Sequence, residues 1–481
     1  MSRSMSFIAA IAALAAGLLA AQAVPAADLG DAYERAVQSD PLLREAEANR
    51  LAALEAKPQA RALLLPQLNF QASRTETEIE GAGSFFQPGG ETGFVIPFNQ
   101  QEDSTDTVFN LQLQQTLFRW DQWVALRQAD STVAQAEANY LAAQQDVITR
   151  VAQRYFDVLA ARDTLESEEV AKQAIARQLE QAEKRFEVGL IAITDVQEAQ
   201  AAYDQAVAAE IAASRNLATA RELLREITGE YFADLAAPGD EMPLEPPVPA
   251  SEEEWVAIAM DQNLNLISSR LGADIAREQI KLQRAQHYPT LDLVASRNEF
   301  DSEADLIVDG QAGPSEDDFT TDTIALQLNF PIFSGGLTTS RVREAVYLHR
   351  AAKEQLERVA RETERLARDS YLGVLTGISR VEALGQAVES SRTALEATEA
   401  GFEVGTRTTV DVLDARRNLL AAQTNYARSR YDYVLNMLQL KRAAGTLTAE
   451  DISQVNGWLE EGEETQIGQS VETPDEPGSD G

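Results

Sequence analysis

A chain of 481 residues with 77 acidic against 41 basic side chains has a formal charge of −36, and an excess of that size repels phosphates, so nucleic acid is excluded as a partner. Cysteine is absent, which removes any disulfide framework and any lipid-attachment thiol and leaves stability to packing or assembly. Beyond the N-terminal segment no apolar run reaches about 18 residues, which excludes a helical membrane span but not a β-barrel, whose strands carry a weaker signal.

Residues 1–23 read as a secretory signal: one early cation, Arg3, an apolar core from Phe7 to Ala20, and the small-residue pattern Ala21-Gln22-Ala23. A mature chain starting near Val24 is expected. Its first segment, Asp31 to Leu64, has helical spacing and stops at Leu65-Pro66-Gln67-Leu68. The period then changes to 2. Leu68, Phe70 and Ala72 alternate with Asn69, Gln71 and Ser73, which predicts a strand. A polar loop is expected from about Thr75 to Thr107, followed by a second strand in which Phe109, Leu111, Leu113 and Leu117 alternate with amides.

From Phe118 helical periodicity continues without proline to Val188-Gly189, a rod of roughly 65 residues and about 100 Å. Val147, Val151, Tyr155, Val158 and Leu159 mark its apolar stripe. A helix returns from Asp195 to about Ile227, closed by Gly229. The same order recurs in the second half. A helix runs from Trp255 to Tyr288, strands start at Leu291 and Ile324 around a polar loop from Arg297 to Asp322, and a rod follows Gly335-Gly336. A second break falls at Val404-Gly405, and the returning helix runs from Asp411 to about Ala443. The steps from Gly189 to Gly405, from Asp195 to Asp411 and from Gly229 to Gly445 are all 216 residues, so the protein is a duplication. The expected organisation is a first repeat at 24–230, an extended, exposed Pro-rich connector at 231–254, a second repeat at 255–458, and an acidic tail at 459–481 that reads as disordered.

The predicted fold class is an α+β membrane protein. Long antiparallel helical hairpins form a tunnel, and each protomer supplies four transmembrane strands. Four strands leave two free edges and enclose no lumen, whereas three copies give twelve, within the range of outer-membrane barrels. Leucines then face lipid and amides face water. Asp411 and Asp414, spaced i, i+3, share a helix face and in a trimer form rings of acid; Arg407 is placed to pair with Asp195 of the other bend. The plainer reading makes Asp195 and Asp411 helix N-caps and Asp414 a solvated first-turn acid. His287 and His349 stand at unrelated places, so neither catalysis nor a metal site is expected, and no cofactor. The loop acids Asp301, Glu303, Asp305, Glu316, Asp317 and Asp318 lack EF-hand order. The competing class is an exported coiled-coil adaptor or scaffold without a pore.

The motifs Val404-Gly405-Thr406-Arg407-Thr408 with Val410-Asp411-Val412-Leu413-Asp414, and Arg185-Phe186 with Val188-Gly189-Leu190 and Ala192-Ile193-Thr194-Asp195, closely resemble the TolC family of outer-membrane ducts. Leu65-Pro66-Gln67-Leu68 and Pro331-Ile332-Phe333 support the likeness, which covers about Leu29 to Gly457. The resemblance implies a homotrimer in outer-membrane lipid serving efflux pumps and type I protein secretion, with a periplasmic adaptor and an inner-membrane transporter of RND or ABC type as partners. It implies acid rings at Asp411 and Asp414, a latch of Thr194, Asp195, Phe402 and Arg407, and a weaker gate contact of Gln178 with Glu399. One departure stands out: Phe402 replaces a tyrosine of the family pattern, so a looser latch resting on Arg407 and Asp195 is expected.

Overall fold

The computed structural model describes residues 27–87, 94–239, 242–308 and 311–460; the expected signal segment at 1–23 and the tail beyond Glu460 lie outside the described residues. The chain forms two compact units. One takes the residues up to Ala48, Asn139–Leu266 and those from Val359 onward; the other takes Asn49–Ala138 and Ile267–Arg358.

The expected first helix is three: α1 (Leu29–Ser39), α2 (Pro41–Leu54) and α3 (Ala56–Ala62). Asp40 causes the first break. Its carboxylate accepts the Leu43 N–H (3.2 Å) just ahead of a helix that starts on proline, the residue best suited to that position. Strands β1 (Gln67–Gln87) and β2 (Phe94–Phe118) are followed by the rod α4 (Trp120–Glu187) and its return α5 (Ile193–Thr228). A short strand β3 (Ala237–Pro238) precedes α6 (Glu252–Gln262) and α7 (Leu264–Ala285), which are divided at Asn263, whose side chain accepts the Leu266 N–H (3.0 Å). Then come β4 (Thr290–Val308), β5 (Gln311–Asn329), the second rod α8 (Leu337–Glu403), its return α9 (Thr409–Ala444), α10 (Ala449–Asn456) and β6 (Leu459–Glu460).

In the first unit the predicted stripe is the core: Val147, Val151, Tyr155, Val158 and Leu159 are all buried, as are Tyr371 and Val374 of the second repeat. Phe156 stacks on Tyr431 with ring centroids 5.4 Å apart. The connector is exposed only in part: Tyr231 and Val248 are open to solvent, but its middle is packed. Leu235, Ala236 and Met242 are buried, and the Tyr155 hydroxyl donates to the carbonyls of Ala236 (2.6 Å) and Ala27 (3.1 Å). A composition rich in proline reported extension, but extension is also the conformation in which β3 pairs with β6. Helix α9 ends at Gly445 with φ 77°, where an added Cβ would lie 2.2 Å from the Gln262 carbonyl oxygen, so only glycine fits.

The second unit holds one antiparallel sheet in the order β1-β2-β4-β5. Here the expected loops are corrected. Residues Thr75 to Gln87, Phe94 to Thr107, Arg297 to Val308 and Gln311 to Asp322 extend the strands, and Glu76 pairs with Thr105 and Glu303 with Glu316 within the ladders. Apolar alternation marks a strand only where one face must leave water, and in these segments the few apolar residues, such as Ile79, Phe300 and Phe319, are scattered among acids, threonines and serines. Their threonines, β-branched and paired across strands, were the available signal.

Candidate functional site

The sheet face carrying Leu68, Phe70, Leu111, Leu113, Leu326 and Leu328 is exposed, with Leu68 and Phe70 at 65% and 66% of their full accessible surface. Register places these residues on one side: Leu68 faces Leu113, Phe70 faces Leu111, Leu113 faces Ala295, and Leu293 faces Leu326. Asn69, Gln71, Asn110 and Gln112 occupy the other. A contiguous apolar band of this kind, unpaid for by any core, fits hydrocarbon. No helix among the described residues is long and apolar enough to cross a membrane.

The two bends are built on one plan. At the first, Gly189 has φ 74°, its N–H donates to the Phe186 carbonyl (2.8 Å), and the Leu190 N–H reaches back to Arg185 O (2.8 Å). At the second, Gly405 has φ 79°, its N–H donates to Phe402 O (3.0 Å), and the Thr406 N–H reaches Gly401 O (2.9 Å). Both are left-handed glycine stops that satisfy the last carbonyls of a rod. The Gly401 carbonyl also accepts the Arg407 N–H (3.2 Å) and the Thr406 hydroxyl (3.0 Å).

The helix starts differ. Thr408 caps α9: its hydroxyl accepts the Asp411 N–H (3.2 Å), and the Asp411 carboxylate accepts both the Thr408 N–H and its hydroxyl at 2.8 Å. Those bonds, with a smaller contribution from the Arg407 charge, hold the Asp411 carboxyl below the usual carboxylate range. The first bend has Ala192 in place of the threonine, and Asp195 accepts only the Ala192 N–H (3.3 Å). Both aspartates therefore act as capping partners, and Asp414 is exposed one turn on.

Within one protomer the described contacts of the expected latch residues are to other partners. Arg407 and Asp195 form no ion pair among the described residues, and the Arg407 stem lies instead beside Gly401, whose added Cβ would be 2.8 Å from Arg407 Cγ. Glu399 is held by Arg416 of the returning helix (2.7 Å) rather than by Gln178, and Thr194 is exposed. The contact that joins the bends was not anticipated: the Arg185 guanidinium sits 5.9 Å from the centroid of Phe402. Arg185 was legible as part of the motif, but its role was not, because a cation over a ring leaves no spacing signature.

An apolar band on an open sheet, joined in one chain to twinned helical hairpins with glycine bends, defines an outer-membrane channel. Consistent with this, a family model described as "Outer membrane efflux protein" matches residues 32–230 and 255–446, and the chain belongs to that family. It is 38% identical over 439 residues to the outer membrane protein TolC of Vibrio cholerae serotype O1, covering 91% of this chain and 95% of the relative. It is 39% identical to the outer membrane protein TolC of Escherichia coli strain K12, covering 90% and 85%. The outer membrane channel CmeC of Campylobacter jejuni shares the fold with a TM-score of 0.70 at 17% identity, covering 90% of each chain. The protein is an outer-membrane exit duct with a periplasmic helical tunnel, and its relatives are channel proteins rather than enzymes.

Proposed function

We propose that three copies of this chain join their sheets into one twelve-stranded barrel in outer-membrane lipid, and that the barrel and its helical tunnel form the passage for substrates of efflux and type I secretion. The observation that carries this is the sheet itself. Within one chain β1 and β5 each pair on one side only, while a whole face is apolar. A sheet with two open edges is completed by edges of sister subunits, and closure removes the aggregation hazard that an isolated edge presents.

Passage is governed at the bends. Asp411 and Asp414, repeated by threefold symmetry, ring the periplasmic mouth and attract cations, while Arg407, Thr194 and Asp195 act between neighbouring subunits, and Gln178 supports Glu399 in the same way. Val188, Leu190, Ile193, Val404 and Val410 are exposed at these bends, and a periplasmic adaptor linked to an inner-membrane transporter covers them. The purified protein in a planar bilayer tests both halves of the proposal. Detergent-extracted protein is expected to run as a trimer and to give small currents blocked by multivalent cations; a monomer that forms no channel would sink the reading.

A further inference from the structure

One row of the amide-rich face carries a stacked pair of aromatic rings. The register aligns Ser73, Val108, Phe300 and Phe319 across the four strands, and Phe300 and Phe319 stack with centroids 4.8 Å apart and planes inclined by 29°. The rows on either side are polar. On one side lie Gln71, Asn110, Asn298 and Thr321; on the other, Thr75, Asp106, Ser302 and Asp317, with the Ser302 hydroxyl donating to Asp106 (2.6 Å). Two residues along a strand advance about 7 Å, so two carboxylates per chain lie one step beyond two aromatic rings on the same face.

This face is not the lipid face. Residues alternate strictly, and Leu111 and Leu113 fall on the other side of β2 from Val108, as Leu293 falls on the other side of β4 from Phe300. Phe319 is half exposed, at 50% of its full surface, with no core to receive it. An apolar pair set among amides and left open to water is unfavourable for folding, so something it meets in function must repay its presence.

We propose that Val108, Phe300 and Phe319 form a specificity-determining girdle in the lumen, which together with the Asp106 and Asp317 row retains apolar organic cations in transit. The inference rests on the barrel reading above, under which threefold repetition gives six phenylalanines beside six aspartates. Ring faces attract cations, carboxylates add long-range attraction, and a hydrated anion gains from neither. Neutral or anionic solutes pass unretained. The girdle therefore makes the duct's last section sensitive to the chemistry of its load.

The experiment uses the full-length protein in planar bilayers with tetraphenylphosphonium as the probe, tetramethylammonium as a charge without rings and tetraphenylborate as rings with the opposite charge. Tetraphenylphosphonium is expected to reduce the current at concentrations where the other two do not. Phe300→Ser with Phe319→Ser should raise the blocking concentration about tenfold, the equivalent of about 1.4 kcal/mol. Phe300→Leu with Phe319→Leu, which keeps the girdle apolar, should give a smaller rise, and Asp106→Asn with Asp317→Asn a rise of its own. The block should persist in Asp411→Ala with Asp414→Ala, which separates it from the cation site at the bends. Equal block by all three probes, or block unchanged by both phenylalanine pairs, overturns the girdle while leaving the duct standing. Absence of any current overturns the duct, and the girdle with it.

Discussion

The two bends began as copies and have been chemically separated. Positions 190–192 are Leu-Ile-Ala and their counterparts 406–408 are Thr-Arg-Thr, so the first bend is apolar and lightly capped while the second is polar, with its hydroxyls, amides and Asp411 carboxylate bonded to one another. Fold and function thus part company here. Glycine and the first-turn aspartate, present in both, are what a helical reversal needs. The residues that differ are those on which the proposed gate bears, and the second bend carries the more polar set.

The largest expected effect follows from assigning the cation site to the second bend alone. Asp411→Ala with Asp414→Ala should abolish block by multivalent cations in bilayer recordings, whereas Asp195→Ala with Glu198→Ala, the corresponding pair of the first bend, should leave it largely intact. Equal loss from both pairs would break the comparison. Next, Arg407→Ser should raise resting conductance, and Arg185→Gln should do so to a lesser degree because the contact with the Phe402 ring is a single exposed one. Phe402→Tyr, which adds a donor and acceptor, should lower it.

A smaller, local effect is expected from the caps. Thr408→Ala should weaken the second bend by about 1 kcal/mol, read as faster amide hydrogen exchange at Val410 to Val412, while Ala192→Thr should strengthen the first by a similar amount. If both substitutions are neutral, the caps do not distinguish the bends. Smallest is the response to acid. The folded Asp411 carboxyl is held below its ordinary range, so its stabilising contribution is complete above the unfolded value and is lost progressively as pH falls from there through the lowered folded one. Hydrogen exchange at the second bend, corrected for its intrinsic rate, should therefore hold above the ordinary carboxylate range, begin to accelerate as pH enters that range and level off below the lowered value; acceleration already above that range would contradict the capping geometry.

Legibility in the sequence followed the physics of each signal. The rods, their returns and the stops at Gly229 and Gly445 were readable because helical spacing and left-handed glycines are local. So was the apolar band, since Leu68, Phe70, Leu111 and Leu113 alternate against amides. The upper strands were not, because Glu76 to Glu80 and Asp301 to Asp305 alternate nothing apolar and only pairing with a neighbour makes them strands. The buried middle of the connector escaped for a similar reason: the Tyr155 hydroxyl that holds Ala236 is distant in sequence. At the gate, the aspartates and Arg407 were named from a motif, yet the ties of Glu399 to Arg416 and of Arg185 to Phe402 depend on how hairpins lie together.

The polar groups of each bend are satisfied inside its own hairpin, with Arg416 and Glu399 bracing the second across its two helices. A hairpin built that way can swing as a solid lever. Displacement of its tip keeps the bend's own capping bonds and gives up the touch of Arg185 on the Phe402 ring, whereas the shaft is tied more firmly, by the Phe156–Tyr431 stack and the Tyr431 hydroxyl donating to Asp163 (2.7 Å), so the tip is the part of the hairpin with least to lose by moving.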